Sequence, residues 1–220
     1  MKSKAGGTIL SVGMTGGIAC GRTTVGSILA RLGACVVDMD TVAHELMAPG
    51  GAAVGKVTQV FGTGFVNQDG GIDRKALGVL VFSDRESRKR LEAILHPMIL
   101  VETEKKIEMF AAARGRGIAV SDAALLVETG GYRRYERLVV VFCAPDLQLR
   151  RLMARDGLSE ADALARIEAQ TPLDEKKKLA DYLLDTSTTM ADTETRTRAL
   201  HKRLLEDLES LPDLPVRGKS

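Results

Sequence analysis

The 220-residue chain has no tryptophan, and aromatic residues make up only 4% of it. That leaves little material for the stacked platforms on which single-stranded nucleic acids are held. It also lacks an excess of charge. The 31 basic residues against 29 acidic ones leave a formal charge of +2, so no large field draws in a polyanion, and nucleic acid is not expected as a partner. Cysteine is scarce: Cys20, Cys35 and Cys143 are an odd number, far apart in sequence. They fit neither a disulfide frame nor a zinc site and read as reduced thiols of a cytoplasmic protein. Long apolar runs are missing too. The stretch after Met1-Lys2-Ser3-Lys4 is broken by Gly6, Gly7 and Gly13, which makes a poor signal peptide, and no run is long enough to span a membrane. What remains is one globular domain of ordinary composition, large enough for a full core and an inserted lid.

Against that background one stretch stands out. The apolar run from Thr8 to Met14 leads into Thr15-Gly16-Gly17-Ile18-Ala19-Cys20-Gly21-Arg22-Thr23-Thr24, followed by Val25 to Leu32. Strand, glycine-rich turn and helix form the setting of a phosphate-binding P-loop, whose pattern is Gly, four residues, Gly, Lys, then Ser or Thr. Gly16, Gly21 and Thr23 keep the frame, but Arg22 stands at the lysine position. Such a loop wraps an anion in backbone N–H groups at the positive end of a helix, and glycines remove the Cβ atoms that would obstruct it. The Thr23 hydroxyl is placed to meet Mg²⁺. Arginine keeps the charge but is planar and longer, so the exchange is not neutral. The plainer reading, a strand-to-helix turn that merely happens to be rich in glycine, does not account for the two threonines and both flanking elements.

Along the chain, strands are expected at about 8–13, 35–38, 117–122, 138–142 and 182–185. Helices alternate with them, which argues right-handed βαβ units and parallel strands. Thr41 is read as the cap of the second helix and Ser83 as the cap of the helix carrying Leu91, Ile94 and Leu95. That helix is expected to end at His96-Pro97, with Pro97 opening the next. Arg151 and Arg155, four residues apart, share a face of the helix after strand four. The basic run Lys176-Lys177-Lys178 precedes the last strand. Residues 1–7 and 212–220 are read as loose tails. The result is a three-layer α/β fold with a five-stranded parallel sheet, its first strand leading into the P-loop frame.

In an open sheet of this kind, ligands bind beyond the carboxyl ends of the strands. Gly16–Thr24, Asp38, Asp40 and Asp122 all fall there. Phosphoryl transfer needs a phosphate cradle, a metal, a group that orients or deprotonates the acceptor, and arginines on the moving charge. Thr23 with Asp38 or Asp122 are the candidate metal ligands, Asp40 the candidate base, and Arg151 and Arg155 candidate lid arginines. Plainer readings stand beside these. Asp38 and Asp40 suit a helix cap, Asp122 a strand-end turn, the arginines a solvated face and His96 a helix end.

The ordered motifs resemble dephospho-coenzyme A kinases over about residues 9–190. The carriers are the loop at Thr15–Thr24, Asp38-Met39-Asp40, Leu91-Glu92-Ala93-Ile94-Leu95-His96-Pro97 and Leu125-Leu126-Val127-Glu128. Gln148, Arg151-Leu152, Arg155-Asp156, Gln170 and Ala180-Asp181 complete the series. The resemblance implies ATP as donor, Mg²⁺, and phosphorylation of the 3′-hydroxyl of dephospho-coenzyme A. It implies a single domain over 8–211, with an acceptor-binding helical region at about 49–115 and a lid at about 146–180. Carried over, Gly16, Gly17, Ile18, Ala19, Cys20, Gly21, Arg22, Thr23, Thr24 and Arg155 would hold ATP. Asp38, Asp40, His96, Leu125 and Glu128 would hold the acceptor. Asp40, Arg151 and Arg22 would carry catalysis, in a monomer or weak homo-oligomer.

Four departures lie mostly on the donor side. Arg22 replaces lysine, Ala19-Cys20 replace Gly-Ser, Ala124 replaces a proline, and Thr186-Ser187 stand where asparagine and a nearby glycine are usual. Three readings follow: an active kinase using Arg22, a kinase of another nucleoside or small alcohol, and a non-catalytic nucleotide-binding relative. Asp38-Met39-Asp40 and His96-Pro97 argue against the second. Asp40 together with both lid arginines argues against the third.

Overall fold

A computed structural model describes residues 8–212, so the tails read from the sequence lie, but for residue 212, outside the described residues. The chain separates into two compact units. One comprises the described residues up to Val37 together with those from Ile107 onward; the other is Asp38–Lys106.

The first unit is built on a sheet in the order β2-β3-β1-β4-β5. Its strands are β1 (Thr8–Gly16), β2 (Cys35–Asp38), β3 (Arg116–Asp122), β4 (Arg137–Phe142) and β5 (Tyr182–Asp185). β1 lies at the centre and is buried along its whole length, Thr8, Ser11 and Thr15 included, as a central parallel strand covered on both faces must be. It runs parallel to β3, with Met14 beside Asp122, and to β4, with Gly16 beside Val141. β4 pairs in parallel with β5.

Alternation along β4 shows the layering. Val139 and Val141 join Leu10, Val12 and Met14 in a core closed by Val25 and Leu29 of α1 (Arg22–Arg31) and by Leu200, Leu204 and Leu208 of α9 (Met190–Ser210). Leu138 and Val140 point to the other face, where they pack with Leu126. Successive strand residues face opposite sides, so one strand feeds two cores. A Cβ on Gly16 would stand 2.1 Å from the Val141 carbonyl oxygen, so the approach of the loop's first residue to β4 requires glycine.

After β4, the first unit continues through α6 (Pro145–Asp156), α7 (Glu160–Glu168) and α8 (Leu173–Leu179). The charged run at 176–178 is therefore helical. Lys176 is fully buried there, whereas Lys178 is exposed.

The second unit holds α2 (Met39–Met47), α3 (Val54–Phe61), α4 (Arg74–Ser83) and most of α5 (Arg85–Arg114). Three local readings change here. The cap of α2 is Asp38, not Thr41: its Oδ1 accepts from the backbone N–H groups of Asp40 and Thr41, and its Oδ2 from the Thr41 hydroxyl. Ser83 closes α4 by donating to the Val79 and Leu80 carbonyls, and Asp84 caps α5 by accepting from Glu86 and Ser87. A carboxylate is the stronger acceptor for orphan N–H groups at a helix start. Finally, α5 runs through Pro97 as one 30-residue helix. Proline removes one hydrogen bond from a helix interior, and here that loss does not end the helix.

Candidate functional site

The loop after β1 is shaped by two left-handed residues. Ala19 has φ 59° and Gly21, the residue before α1, has φ 85°. The left-handed region costs an alanine about 1–2 kcal/mol, a strain that persists at ligand-binding loops. Between them lies Cys20, whose N–H donates to the Gly17 carbonyl at 3.2 Å. The first turn of α1 contains no acid of its own.

Two glutamines hold the loop by the backbone of one residue, Ile18. The Gln170 Oε1 accepts from the Ile18 N–H at 2.8 Å, and the Gln148 Nε2 donates to the Ile18 carbonyl at 2.9 Å. Gln148 belongs to α6, and Gln170 lies between α7 and α8. The helices after β4 are thus tied directly to the loop.

Beneath the loop, Lys176 reaches from α8. Its ammonium pairs with Glu128 at 2.7 Å and donates to the carbonyls of Gly16 and Ala124 at 3.3 and 3.4 Å. Glu128 also accepts from the Thr171 N–H at 3.1 Å. A buried cation must find such partners. The sequence signal for Lys176 was one lysine among three, with helical period the sole hint that one of them faces inward.

The charged groups fall as follows. Arg22 forms an ion pair with Asp122, both largely covered. Arg151 donates to the hydroxyl and carbonyl of Thr186 at 3.2 and 3.1 Å, and the Thr186 hydroxyl donates to the Cys20 carbonyl at 2.9 Å. Arg155 pairs with its neighbour Asp156, which also receives Arg166. Gly17, Ala19, Cys20, Gly21, Arg22, Thr23, Arg151 and Arg155 line one cavity of about 200 Å³. A second, of about 240 Å³, is bounded by Ala19, Gly21, Thr24, Arg151, Thr186 and residues at the start of α9. Arginines and exposed backbone around one hollow suit a polyphosphate.

In the second unit, Asp40 borders an open depression of about 490 Å³ with Ala43, His44, Met47, Arg74 and Lys75. Composition pointed to none of the last three. Asp73 places Arg74 and Lys75 by capping α4, accepting from the N–H groups of Lys75 and Ala76. Asp38 is occupied as a cap, His96 is exposed on α5, and Leu125 is 48% exposed in the turn after β3.

The cysteines are not all apart. The sulfurs of Cys20 and Cys143 lie 3.4 Å from one another, both buried, while Cys35 stands elsewhere in β2.

Comparison with known proteins gives this geometry its context. The family model for dephospho-CoA kinase matches residues 10–192. A dephospho-CoA kinase of Geobacter sulfurreducens is 44% identical over 185 residues, covering 84% of this chain and 93% of that protein. A crystal structure from Thermus thermophilus, 33% identical, superposes with a TM-score of 0.76 over 90% of this chain and 97% of the other. The dephospho-CoA kinase structure from Campylobacter jejuni, at 24% identity and TM-score 0.61, covers 90% and 98% and shares the fold. The glycine-framed loop, the arginines gathered around it and a family match over nearly the whole described length agree, and the chain belongs to the dephospho-CoA kinase family.

Proposed function

We propose that this protein transfers the γ-phosphoryl group of ATP to the 3′-hydroxyl of dephospho-coenzyme A, giving coenzyme A and ADP. The observation that carries the reading is the cavity at the loop, which Arg22, Arg151 and Arg155 line together with the loop residues up to the start of α1. Phosphoryl transfer asks little covalent chemistry of a protein; positioning and charge stabilisation supply most of the rate.

In this reading the loop from Gly16 to Thr24 holds the β- and γ-phosphates, and Arg151 with Arg155 covers them from α6. The cavity beside Thr186 takes the adenosine. Asp40 accepts the proton of the acceptor hydroxyl, and Arg74 and Lys75, which border the same depression, meet acceptor phosphates. Mg²⁺ prefers hard oxygen donors and keeps several waters. The hydroxyl of the exposed Thr23 and the Asp122 carboxylate, which ends β3 and already pairs with Arg22, are such donors, and the ion would neutralise phosphate charge. Asp38 supports Asp40 as the cap of α2, a structural task, with its oxygens already accepting three hydrogen bonds.

The test is a coupled assay of ADP release with pure protein, ATP, Mg²⁺ and dephospho-coenzyme A. Release that depends on the acceptor supports the reading. Equal release with and without acceptor overturns it. The alternative of a nucleotide-binding relative without catalysis predicts ATP binding and no acceptor-dependent ADP.

A further inference from the structure

We propose that Cys20 and Cys143 form a modification site, a dithiol beside the phosphate loop that a hydroperoxide closes into a disulfide, reversibly weakening nucleotide binding. The consequence for nucleotide rests on the reading of the loop given above; the chemistry of the pair does not.

Three observations converge. The two sulfurs are 3.4 Å apart, and a disulfide needs about 2 Å. Closure therefore takes a shift of about 1.4 Å, within the reach of a loop residue. The two ends are unequally held. Cys143 follows the buried strand β4, and the next N–H, of Ala144, donates to the Ser187 hydroxyl at 2.8 Å. Cys20 lies in the glycine-framed loop between β1 and α1, outside any strand or helix. Cys20 is therefore the end that moves. Its carbonyl accepts from Thr186, which in turn receives Arg151. A displaced Cys20 thus disturbs the loop N–H groups and the arginine tether together.

The pair has a nucleophile and a route of approach. Cys143 is held down at about 7, first by its hydrogen bond with Cys20 and then, against burial, by Arg151. That depression favours the thiolate, which is the reactive form. Cys20 is pushed up by the same pairing and by burial, so it keeps its proton. Both residues are nearly inaccessible, at 1% and 2% exposure. Cys20, however, borders the cavity of about 200 Å³ at the loop, which gives a small oxidant a way in that bound nucleotide would fill.

The reaction balances with a hydroperoxide as oxidant. The Cys143 thiolate attacks one peroxide oxygen; an S–O bond forms, the O–O bond breaks, and the leaving hydroxide takes up a proton to become water. The sulfur of Cys20 then attacks that of Cys143. The S–S bond forms, the S–O bond breaks, and the Cys20 proton leaves with the departing oxygen as a second water. Two thiols lose two electrons, and the two peroxide oxygens gain them.

The experiment treats the full chain with hydrogen peroxide. Thiols are counted in denaturant, intact mass is measured, and ATP affinity is followed before and after dithiothreitol. The expected results are a fall from three thiols to one, a mass loss of two hydrogens, a Cys20–Cys143 cross-linked peptide, and ATP affinity at least tenfold weaker until reduction restores it. Saturating ATP should slow the thiol loss severalfold. Cys143→Ser, and independently Cys143→Ala, should keep two thiols and an unchanged ATP affinity after peroxide. An unchanged count of three, a cross-link through Cys35, or ATP affinity within twofold after cross-linking overturns the proposal. If the reduced protein binds no ATP, the functional reading has failed, and the thiol count and cross-link alone decide the site.

Discussion

At the scale of single residues, the loop turns on Arg22. The exchange of lysine for arginine was visible in the sequence; its partner was not, because Asp122 lies a hundred positions away on β3. Met14 and Asp122 stand side by side in the parallel register of β1 and β3, and that register brings the acid to the loop. The guanidinium is planar and directional, so lysine at this position keeps the charge without the geometry. Arg22→Lys should lower kcat/KM about 3- to 10-fold and Arg22→Ala about 10²- to 10³-fold. Steady-state assays with varied ATP check this, and a faster lysine variant would show arginine to be a handicap. For Asp40, the proposed base, Asp40→Asn should lower kcat about 10²- to 10⁴-fold, with ATP affinity within about twofold of wild type by calorimetry. Equal turnover would remove the assignment. Cys20 and Cys143 teach the complementary lesson. In sequence they are 123 positions apart, and no spacing rule links them.

Secondary-structure elements were legible where periodicity was strong. β1 to β5 and the helices that follow β1, β2, β4 and β5 are readable from apolar and amphipathic runs. Caps were read less well. Asp38 and Asp84, rather than Thr41 and Ser83, satisfy the helix starts, and a capping oxygen depends on backbone geometry that sequence leaves open. α5 is the larger correction: Pro97 reads as a breaker, yet the helix on either side continues through it. α8 has no such signal in the sequence. Its seven residues are short, and its three lysines look like a solvated run until one is buried.

Two predictions belong to this scale. Lys176→Ala leaves Glu128 without its cation under the loop and should cost about 3 kcal/mol in urea unfolding. Lys176→Met should cost less, since an apolar chain of similar length refills the space; equal losses would argue that charge pairing is unimportant there. Gln170→Ala deprives the Ile18 N–H of its acceptor, a penalty of about 1–3 kcal/mol where the group is covered. It should weaken ATP binding about tenfold by isothermal titration while Tm falls only slightly. A fall in Tm with unaltered ATP affinity would make Gln170 structural only.

At the scale of the whole molecule, α9 closes one face of the sheet through Leu200, Leu204 and Leu208, and a polar cluster fixes its end. Asp207 accepts from Arg137 at 2.8 and 2.9 Å and from the Tyr182 hydroxyl at 2.6 Å. The Arg137 hydrogen bonds hold its carboxyl below the usual range, against burial. A carboxyl depressed on folding contributes stability above its unfolded value near 3.9, which is lost as pH falls through the folded value. Asp207→Asn should therefore cost about 1 kcal/mol from pH 5 to 8, given partial exposure of the pair. The gap to wild type should close below about pH 4. Tm measured across that range checks the sign, and a gap that widens in acid would refute it.

The sequence by itself determined the strand–helix alternation, the glycine frame of the loop and the family, because these are local patterns or ordered motifs. Tertiary structure alone decided which distant groups meet. Asp122 reaches Arg22, Lys176 goes under Gly16, Gln148 and Gln170 take the backbone C=O and N–H of Ile18, and Cys143 comes to rest on Cys20. Each of those meetings depends on strand order and register, and those follow from the packing of the whole sheet rather than from any single segment.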